Sequence, residues 1–426
     1  MKFPSLLRFH ALCKRIAIKP RTYRTKYMKV FEYAVLLKKE PSGGYVVTCR
    51  DLPQLITQGE SIEDALLQAS DAMDEVFAAY LINNLKRPEA SPKQPGEYMV
   101  APHQHTAPAI AIKEIGSFHL GGRQVALTGL PTREMAFSNK GLPLVVDPNG
   151  EVEVEQMYVQ FVKLAQPKSK LPLLLWHGGG LTGVTYETKP DGAPGWQMYF
   201  LRAGWDTYVS DAVERGRASW ARYPEIFKTE PIFRTKKEAW ELFRIGPTYH
   251  PDPAQRLAYP ETEFPTEAFD QLAKQAVPRW LTNDAATQKA YDAYVQKMGP
   301  CVIVVHSQSG YFGLQAALNN PDKVKALVLV EPHGSPDPAL TDLSVFKNIP
   351  TLWVWGDYVN AVPFWSKIYQ QQENFRAQLS KHGARADLLN LPAAGLQGNS
   401  HMPMMDRNSD AVAAFIQKWI VEHAAQ

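Results

Sequence analysis

The chain of 426 residues is longer than one ordinary domain, and its 45% hydrophobic content is enough to build complete cores without cross-links. Three cysteines, Cys13, Cys49 and Cys301, lie far apart and form no CxxC pair, so we expect neither a disulfide framework nor a zinc cluster. The formal net charge is +3, but the first 27 residues hold eight Lys or Arg and no Asp or Glu, and the remainder has 38 bases and 43 acids. The main body therefore carries no basic footprint for a nucleic-acid partner.

Residues 1–27 form a basic leader. It lacks the unbroken apolar stretch of a secretion signal, and its composition suits either an organelle transit peptide or an over-called start with translation beginning at Met28. We favour the second interpretation. No apolar run approaches the roughly 20 residues that span a bilayer. We therefore expect a soluble, cytoplasmic protein with no membrane partner.

Residues 28–103 have the pattern of a small α+β domain. The β-rich runs "VFEYAVLL" and "GYVVTC" are joined by "KKEPSGG", whose Pro-Ser-Gly-Gly favours a hairpin. A helix is predicted from Ser61, because Asp64 three places on is close to a capping box. Its apolar side chains share one helical face: Ala65, Leu66, Ala69, Met73, Val76 and Phe77.

This segment resembles the N-terminal domain of HicB-type antitoxins through "GGYVVTCRDLP", "TQGESIEDAL" and "GEYMVAP", although Gln54 stands where that family usually has Gly. The basic DNA-binding extension of many such proteins is missing. The resemblance implies a docking or oligomerising role, with a sister subunit or another protein as partner. A relic of gene fusion is the alternative. The proline-rich stretches "RPEASPKQPG" and "APHQHTAPA" bracket the last strand of this unit, and their composition suits a semi-stiff connector, with the linker predicted at residues 104–112.

Residues 113–426 have the pattern of an α/β domain. The run "VEVEQMYVQFVKL" alternates and predicts a half-exposed strand. Six short, nearly all-apolar runs separated by helical stretches predict a mostly parallel sheet covered by helices on both faces: "KLPLLLW", "GWDTYVSD", "CVIVV", "VKALVLV", "IPTLWVW" and "ADLLNLP". A last helix is predicted after a Ser409 cap. Its apolar face contains Val412, Phe415, Ile416, Trp419 and Ile420.

Residues 215–299 are predicted to form a cap inserted between the second and third of these runs. The segment is rich in Trp, Tyr, Phe and Pro and is longer than a crossover connection requires. A lid over an active site and a plain decorating subdomain both fit this pattern.

Ser307 is the candidate nucleophile. It follows a buried strand in "VHSQSG", where a sharp strand-to-helix turn holds the hydroxyl at the carboxyl edge of the sheet. The usual G-x-S-x-G pattern is incomplete here, because Val305 and Ser309 replace the two glycines. Taken alone, the motif leaves an ordinary strand-to-helix turn equally open.

An oxyanion site strengthens this assignment. The turn "HGGG" ends an earlier buried strand, and its bare N–H groups point to oxyanion binding, whereas a phosphate loop would need a Gly-Lys-Ser/Thr ending. We expect Gly179 and Gln308 to supply the two N–H donors. His177 is expected to be structural.

His401 is the candidate base, because it lies between the last strand and the terminal helix, where it can face the nucleophile across the sheet edge. Glu331 at the end of "ALVLVE" is our choice for the orienting acid, because a carboxylate that ends an apolar strand needs a partner. Asp357 is the alternative acid, although the familiar "WGxxD" spacing falls on Val359.

With "HGGG", "HSQSG", "VEPHG" and "GNSHMPMMD" in this order, residues 113–426 resemble bacterial α/β-hydrolase esterases. The resemblance implies an acid after the sixth strand and a cap before the nucleophile. Some of these esterases have adjacent cysteines where this chain has Gly179 and Gly180, so their redox sensitivity does not carry over.

The function expected from the sequence is hydrolysis of a small-molecule carboxylic ester through an acyl-enzyme, with no cofactor and no metal. A thioesterase, lactonase or amidase with the same triad, and a catalytically idle scaffold of toxin-antitoxin type, stay open as alternatives. Aromatic residues near these loops are candidates for an acyl pocket, although such residues usually belong to the core: Trp176, Tyr311, Trp355 and Trp365.

Overall fold

The computed structural model describes residues 32–41, 43–82, 88–102 and 110–424. The leader at residues 1–27 and most of the linker at residues 104–112 lie outside this part. The chain divides into two compact units, Met1–Ala109 and Ile110–Gln426. In the part that the structure describes, no helix has both the length and the apolar composition needed to cross a bilayer.

The first unit is a four-stranded antiparallel sheet with one helix. Its elements are β1 (Tyr33–Lys39), β2 (Tyr45–Cys49), β3 (Ile56–Gly59), α1 (Ile62–Ile82) and β4 (Glu97–Val100). The sheet order is β3-β2-β1-β4, and β1 and β2 form the predicted hairpin. Sequence reasoning missed the short strand β3.

The helix α1 begins as its sequence predicts. The Asp64 N–H donates to Ser61 Oγ at 3.1 Å, and the Asp64 carboxylate accepts from the Glu60 N–H at 2.8 Å. Four residues of the predicted stripe are fully buried against the sheet, and Leu66 and Val76 are partly buried beside them. This unit therefore has a hydrophobic core of its own.

The second unit is built on an eight-stranded sheet of order β14-β13-β12-β11-β9-β10-β8-β5. Two long antiparallel strands form one edge, β5 (Ile112–Leu127) and β8 (Gly150–Leu164). The strands β6 (Arg133–Ala136) and β7 (Pro143–Val146), which form a separate ribbon, lie between these two in sequence. Sequence reasoning predicted β8 but not β5, β6 or β7.

The six apolar runs form the parallel part of the sheet, as predicted. They are β9 (Leu173–Trp176), β10 (Thr207–Asp211), β11 (Cys301–His306), β12 (Val324–Val330), β13 (Thr351–Trp355) and β14 (Ala386–Asn390). The helices in the described residues of this unit are α2 (Val184–Glu187), α3 (Trp196–Ala203), α4 (Lys236–Leu242), α5 (Phe269–Lys274), α6 (Asp284–Met298), α7 (Ser309–Asn319), α8 (Pro363–Lys381) and α9 (Ser409–His423).

Helices cover both faces of the sheet because the strand side chains alternate between two cores. In β11, Ile303 and Val305 join the core that contains side chains of α6, α7 and α8. Val302 and Val304 join the core that contains side chains of α3 and α9. Strands buried on both sides need continuous apolar sequence, which explains the six runs.

The details of the terminal helix differ from the prediction. Asn408 rather than Ser409 occupies the N-cap position, and its side chain makes no capping hydrogen bond. Phe415 is 41% exposed, whereas Val412, Ile416 and Ile420 are fully buried. The buried face of the helix therefore contains fewer residues than the apolar face that the sequence predicts.

The segment 215–299, predicted as a cap, contains α4, α5, α6 and short 3-10 turns. Its last helix, α6, packs against β5, β8 and α7. Tyr291 of α6 stacks on Trp176 at the end of β9, with ring centroids 3.9 Å apart. The cap boundaries stay a prediction.

Candidate active site

The turn that carries Ser307 lies where the sheet reverses its order. The chain passes from β9 to β10 on one side of β9 and then returns to β11 on the other side. The loops after β9 and β11 therefore open side by side at the carboxyl edge, where open α/β sheets bind their ligands. The glycine turn follows β9, and Ser307 follows β11.

Ser307 adopts a left-handed backbone conformation with φ of +52°, which is strained for a residue with a side chain. Three backbone hydrogen bonds hold this conformation. Its N–H donates to Val330 O at 3.0 Å, and its carbonyl accepts from the N–H groups of Gly310 and His333, both at 2.8 Å. The sharp turn expected around a serine nucleophile is therefore present.

Both departures from the G-x-S-x-G pattern have a local explanation. Ser309 Oγ donates to the carbonyl of His177 at 2.5 Å. The hydroxyl that replaces a glycine therefore joins the turn around Ser307 to the glycine turn that follows β9. Val305 packs beside Gly313 of α7, where an added Cβ would lie 2.9 Å from Val305 Cγ1. Gly313 of α7 thus leaves the space that the Val305 side chain needs in place of a glycine.

The structure brings the predicted base to the predicted nucleophile. His401 Nε2 lies 3.0 Å from Ser307 Oγ, and the His401 ring is fully buried. The backbone of His401 is held on both sides, because its N–H donates to Phe243 O at 2.8 Å and its carbonyl lies 2.9 Å from His306 Nε2. Since a carbonyl only accepts, His306 carries its proton on Nε2. Sequence reasoning gave His306 no role.

Glu331, and not Asp357, faces the base. Glu331 Oε2 lies 3.2 Å from His401 Nδ1. Among the described residues, Asp357 makes no hydrogen bond to His401. Its Oδ2 accepts instead from the N–H groups of Gly398 and Asn399, at 2.6 and 3.3 Å. Asp357 therefore fixes the loop that leads to His401.

Glu331 is also paired with an arginine that sequence reasoning missed. Arg244 Nη2 donates to Glu331 Oε1 at 2.7 Å, and the Gly356 N–H donates to the same oxygen at 2.6 Å. Both charged side chains are fully buried. Arg244 Nε donates to the carbonyl of Asp357 at 2.7 Å. Burying a charged group is costly unless such partners accompany it.

Burial and cations keep the base neutral. Desolvation lowers the pKa of His401 well below its ordinary value, and the positive charge of Arg244 lowers it further. The loop that carries the imidazole is held by Asp406, whose carboxylate accepts from the Ser400 hydroxyl at 2.7 Å and the Asn399 side chain at 3.0 Å. Burial raises the pKa of Asp406 to about 7.

The two predicted oxyanion donors lie beside the nucleophile. Within the described part of the chain, neither the Gly179 N–H nor the Gln308 N–H donates to another group, so both are available to a ligand oxygen. The turn approaches the nucleophile so closely that a Cβ on Gly178 would lie 3.0 Å from Ser307 Cβ. His177 is structural, because its Nε2 accepts from the Ala212 N–H at 3.0 Å and burial lowers its pKa to about 4.

A cavity of about 490 Å³ opens beside Ser307. Of the four aromatic residues considered from the sequence, Tyr311 and Trp365 line it, whereas Trp176 and Trp355 are buried in the core. The cavity also contains two cations from the segment predicted as a cap, Arg234 and Arg279.

A parallel sheet with a strained serine turn, a buried imidazole after the last strand and a glycine turn at the same edge defines an α/β-hydrolase. The solved structure of a bacterial esterase shares 35% sequence identity with this chain and has a TM-score of 0.64. The match covers 75% of this chain and 98% of the esterase. The chain therefore belongs to the family of this esterase within the α/β-hydrolases, and the protein is a hydrolase.

Two further comparisons cover different parts of the chain. A protein named "Probable secreted lipase phiG" from Fungal sp. (strain ATCC 74256) is 25% identical over 334 residues, which are 64% of this chain and 87% of the lipase. Residues 32–103 match the family described as HicB_like antitoxin of bacterial toxin-antitoxin system. The antitoxin HicB of Escherichia coli (strain K12) is 35% identical over 68 residues. These are 16% of this chain and about half of the antitoxin, 49%.

Proposed function

We propose that the protein is a serine carboxylesterase that works through an acyl-enzyme on Ser307. The observation that carries this proposal is the 3.0 Å contact between Ser307 Oγ and His401 Nε2, with Glu331 3.2 Å from the other ring nitrogen. A serine hydroxyl is a weak nucleophile unless a base takes its proton in this way. The similarity to a bacterial esterase supports an ester as the substrate.

The proposed reaction has two steps. Ser307 Oγ attacks the ester carbonyl while His401 Nε2 takes its proton, and the N–H groups of Gly179 and Gln308 bind the oxyanion. His401 then protonates the leaving alcohol. A water molecule, deprotonated by His401, then attacks the acyl carbon, and His401 returns this proton to Ser307 Oγ as the bond between the acid and Ser307 breaks. Throughout both steps, Glu331 accepts a hydrogen bond from the N–H at His401 Nδ1 and so holds the imidazole in the tautomer whose Nε2 acts as the base.

Hydrolysis of 4-nitrophenyl butyrate by purified wild type and Ser307→Ala tests the proposal. We expect the variant to lose at least about 10³-fold in kcat, because the residual rate comes from binding and the oxyanion donors alone. Ser380→Ala is the matched control, because Ser380 is exposed on α8 and far from this site in sequence. Equal slow rates for wild type and Ser307→Ala would leave the idle scaffold as the better interpretation.

A fluorophosphonate experiment identifies the nucleophile directly. The reagent should add once to the wild type, with the adduct on the peptide that contains Ser307, and should not label Ser307→Ala. A panel of thioester, lactone and amide substrates then separates the alternatives that share the triad. If the kcat/KM for one of these substrates exceeds that for the ester, the proposed substrate class is wrong, but the acyl-enzyme mechanism still stands.

We propose in addition that the HicB-like unit binds another protein or a second copy of this chain. The match of residues 32–103 to the antitoxin family supports this role. Sizing of the full chain and of a chain shortened to begin near residue 108 tests the self-association. Identical oligomeric states would remove the role in self-assembly. The cytoplasmic location stays a prediction, which cell fractionation tests.

A further inference from the structure

Two arginines lie against the glycine turn beside the proposed nucleophile. An added Cβ on Gly179 would overlap Arg279 Nη1, and an added Cβ on Gly180 would lie 3.6 Å from Arg234 Nε. The missing side chain of Gly179 therefore leaves the space that the Arg279 guanidinium occupies, and Arg234 lies in ordinary van der Waals range of Gly180. Both groups line the cavity that also contains Ser307 and His401.

The backbone holds these arginines in place. The N–H of Val277 donates to Gly180 O at 2.9 Å, which ties the segment before Arg279 to the glycine turn. Arg279 and Ile232 exchange both backbone hydrogen bonds, at 2.7 and 3.0 Å, and this pairing carries Arg234 two residues further on. The Arg279 guanidinium thus projects from a segment held by an isolated β-bridge, and Arg234 lies two residues from the other side of this bridge.

Arg279 interacts with the carboxylates of Asp284 and Glu238 at longer range than a salt bridge. Among the described residues it forms no ion pair, and its closest hydrogen-bond acceptor is the neutral Gln308 Oε1 at 3.4 Å. Burial lowers the pKa of the Arg279 guanidinium, and the nearby carboxylates of Asp284 and Glu238 do not reverse this shift. Charges in partly desolvated sites are costly unless a counter-ion joins them.

Arg234 adds a second cation to the same place. Its Nη1 pairs with Glu238 at 2.6 Å, but that carboxylate is 44% exposed, whereas the Arg234 side chain is 14% exposed. The Nε of Arg234 is buried and has no hydrogen-bond partner in the described part of the chain. Asp284, the other carboxylate of the cavity, is exposed. The negative groups thus face solvent, and the positive groups lie deeper.

We propose that the substrate is an ester that carries an anionic group, which Arg279 and Arg234 bind next to the ester carbonyl. A carboxylate matches the planar fork of a guanidinium and accepts two hydrogen bonds from it. The apolar walls of the same cavity, with Phe243, Trp365 and Tyr311, suit the hydrocarbon part of such a molecule. This inference rests on the proposed esterase function.

A matched pair of methyl esters tests the anionic subsite. Monomethyl glutarate carries a carboxylate, and methyl 5-methylhexanoate replaces its two oxygens by two methyl groups. Methanol release is measured for both. We expect the wild type to prefer the anionic ester by roughly 10- to 100-fold in kcat/KM, the range for charge-assisted hydrogen bonds. A wild type that prefers the neutral ester would overturn the proposal.

The variants show whether Arg279 causes the preference. Arg279→Met should bring the ratio of the two kcat/KM values close to one, and Arg279→Lys, which keeps the charge but loses the fork, should give an intermediate ratio. Arg385→Met, a change of an exposed arginine in the loop before β14, is the control and should keep the wild-type ratio. If Arg279 stabilised the oxyanion of every ester, Arg279→Met would lower both values and leave the ratio unchanged, which would contradict the proposal.

Binding of glutarate separates this proposal from the proposed reaction. If neither ester is hydrolysed and fluorophosphonate does not label Ser307, the esterase proposal fails, but calorimetry with glutarate still tests the subsite. We expect full-length Ser307→Ala to bind glutarate, and the double variant with Arg279→Met to bind it at least tenfold more weakly. Equal binding by the two variants, or no binding by either, would overturn the anionic subsite.

Discussion

Replacing Glu331 by glutamine tests how the orienting acid acts. Two donors, Arg244 Nη2 and the Gly356 N–H, converge on Glu331 Oε1. In Glu331→Gln the amide oxygen must therefore stay at this position, and the amide NH2 must face His401 Nδ1. His401 Nδ1 then has to accept a hydrogen bond, so its proton moves to Nε2. An Nε2 that carries a proton cannot take one from Ser307.

The expected loss in kcat is about 10⁴-fold, the usual cost of holding the base in the wrong tautomer. The substitution also leaves the Arg244 cation without its carboxylate in a fully buried place. Removing one partner of a buried ion pair lowers the free energy of unfolding by about 3–5 kcal/mol. Because the glutamine oxygen can still accept both hydrogen bonds, we expect a decrease near the lower end of this range. The kcat for 4-nitrophenyl butyrate and a urea unfolding curve for the same preparation measure the two effects separately.

Asp357→Asn is the matched control for this prediction. It makes the same chemical change in the other candidate acid, whose Oδ2 accepts from two backbone N–H groups. An amide oxygen can still accept both hydrogen bonds, so we expect kcat to fall less than about tenfold. If Asp357→Asn loses most of the activity while Glu331→Gln keeps more than a tenth of it, the assignment of the acid is wrong.

Three further predictions concern the base and its surroundings. Because burial and Arg244 hold the pKa of His401 well below its ordinary value, kcat/KM should stay constant from pH 7 to pH 6, and Arg244→Met should move the acid limb to higher pH. Gly178→Ala should lower kcat/KM about 10²-fold with the fold retained by circular dichroism, because the new Cβ would lie 2.6 Å from His306 Nδ1. Burial raises the pKa of Asp406 to about 7, so the folded protein keeps this proton between pH 4 and pH 7 while the unfolded chain loses it. The free energy of unfolding should therefore fall by on the order of 4 kcal/mol as the pH rises through this range, and urea unfolding curves of Asp406→Asn should lack this decrease.

The parallel sheet could be predicted because strands buried on both faces leave a continuous apolar signal. Ile303 and Val304 point to opposite cores, and each position of β11 must therefore be apolar. β5 leaves no such signal, because its first four residues are exposed and its burial then varies along the strand. The exposure of Phe415 could not be predicted from its apolar side chain, because single apolar residues are common at protein surfaces.

The candidate site could be predicted where the chain itself places a side chain at the end of a strand. Ser307 and Glu331 each directly follow a strand of the sheet, and parallel strands bring their carboxyl ends to one edge. Arg244 could not be found in this way. It belongs to a long segment whose sequence has no continuous apolar run, and only the folded chain brings its guanidinium to Glu331. A buried arginine has no sequence signal that separates it from an exposed one.

The segment between β10 and β11 is part of the proposed site rather than a cover over a complete one. Its Phe243 carbonyl binds the N–H of His401, and Arg244 binds Glu331. Its Arg279 lies against Gly179 of the glycine turn. One segment therefore contacts His401 and Glu331 and also lines the cavity beside Ser307. An opening motion of the whole segment would separate Arg244 from Glu331 and expose a buried carboxylate, which is costly.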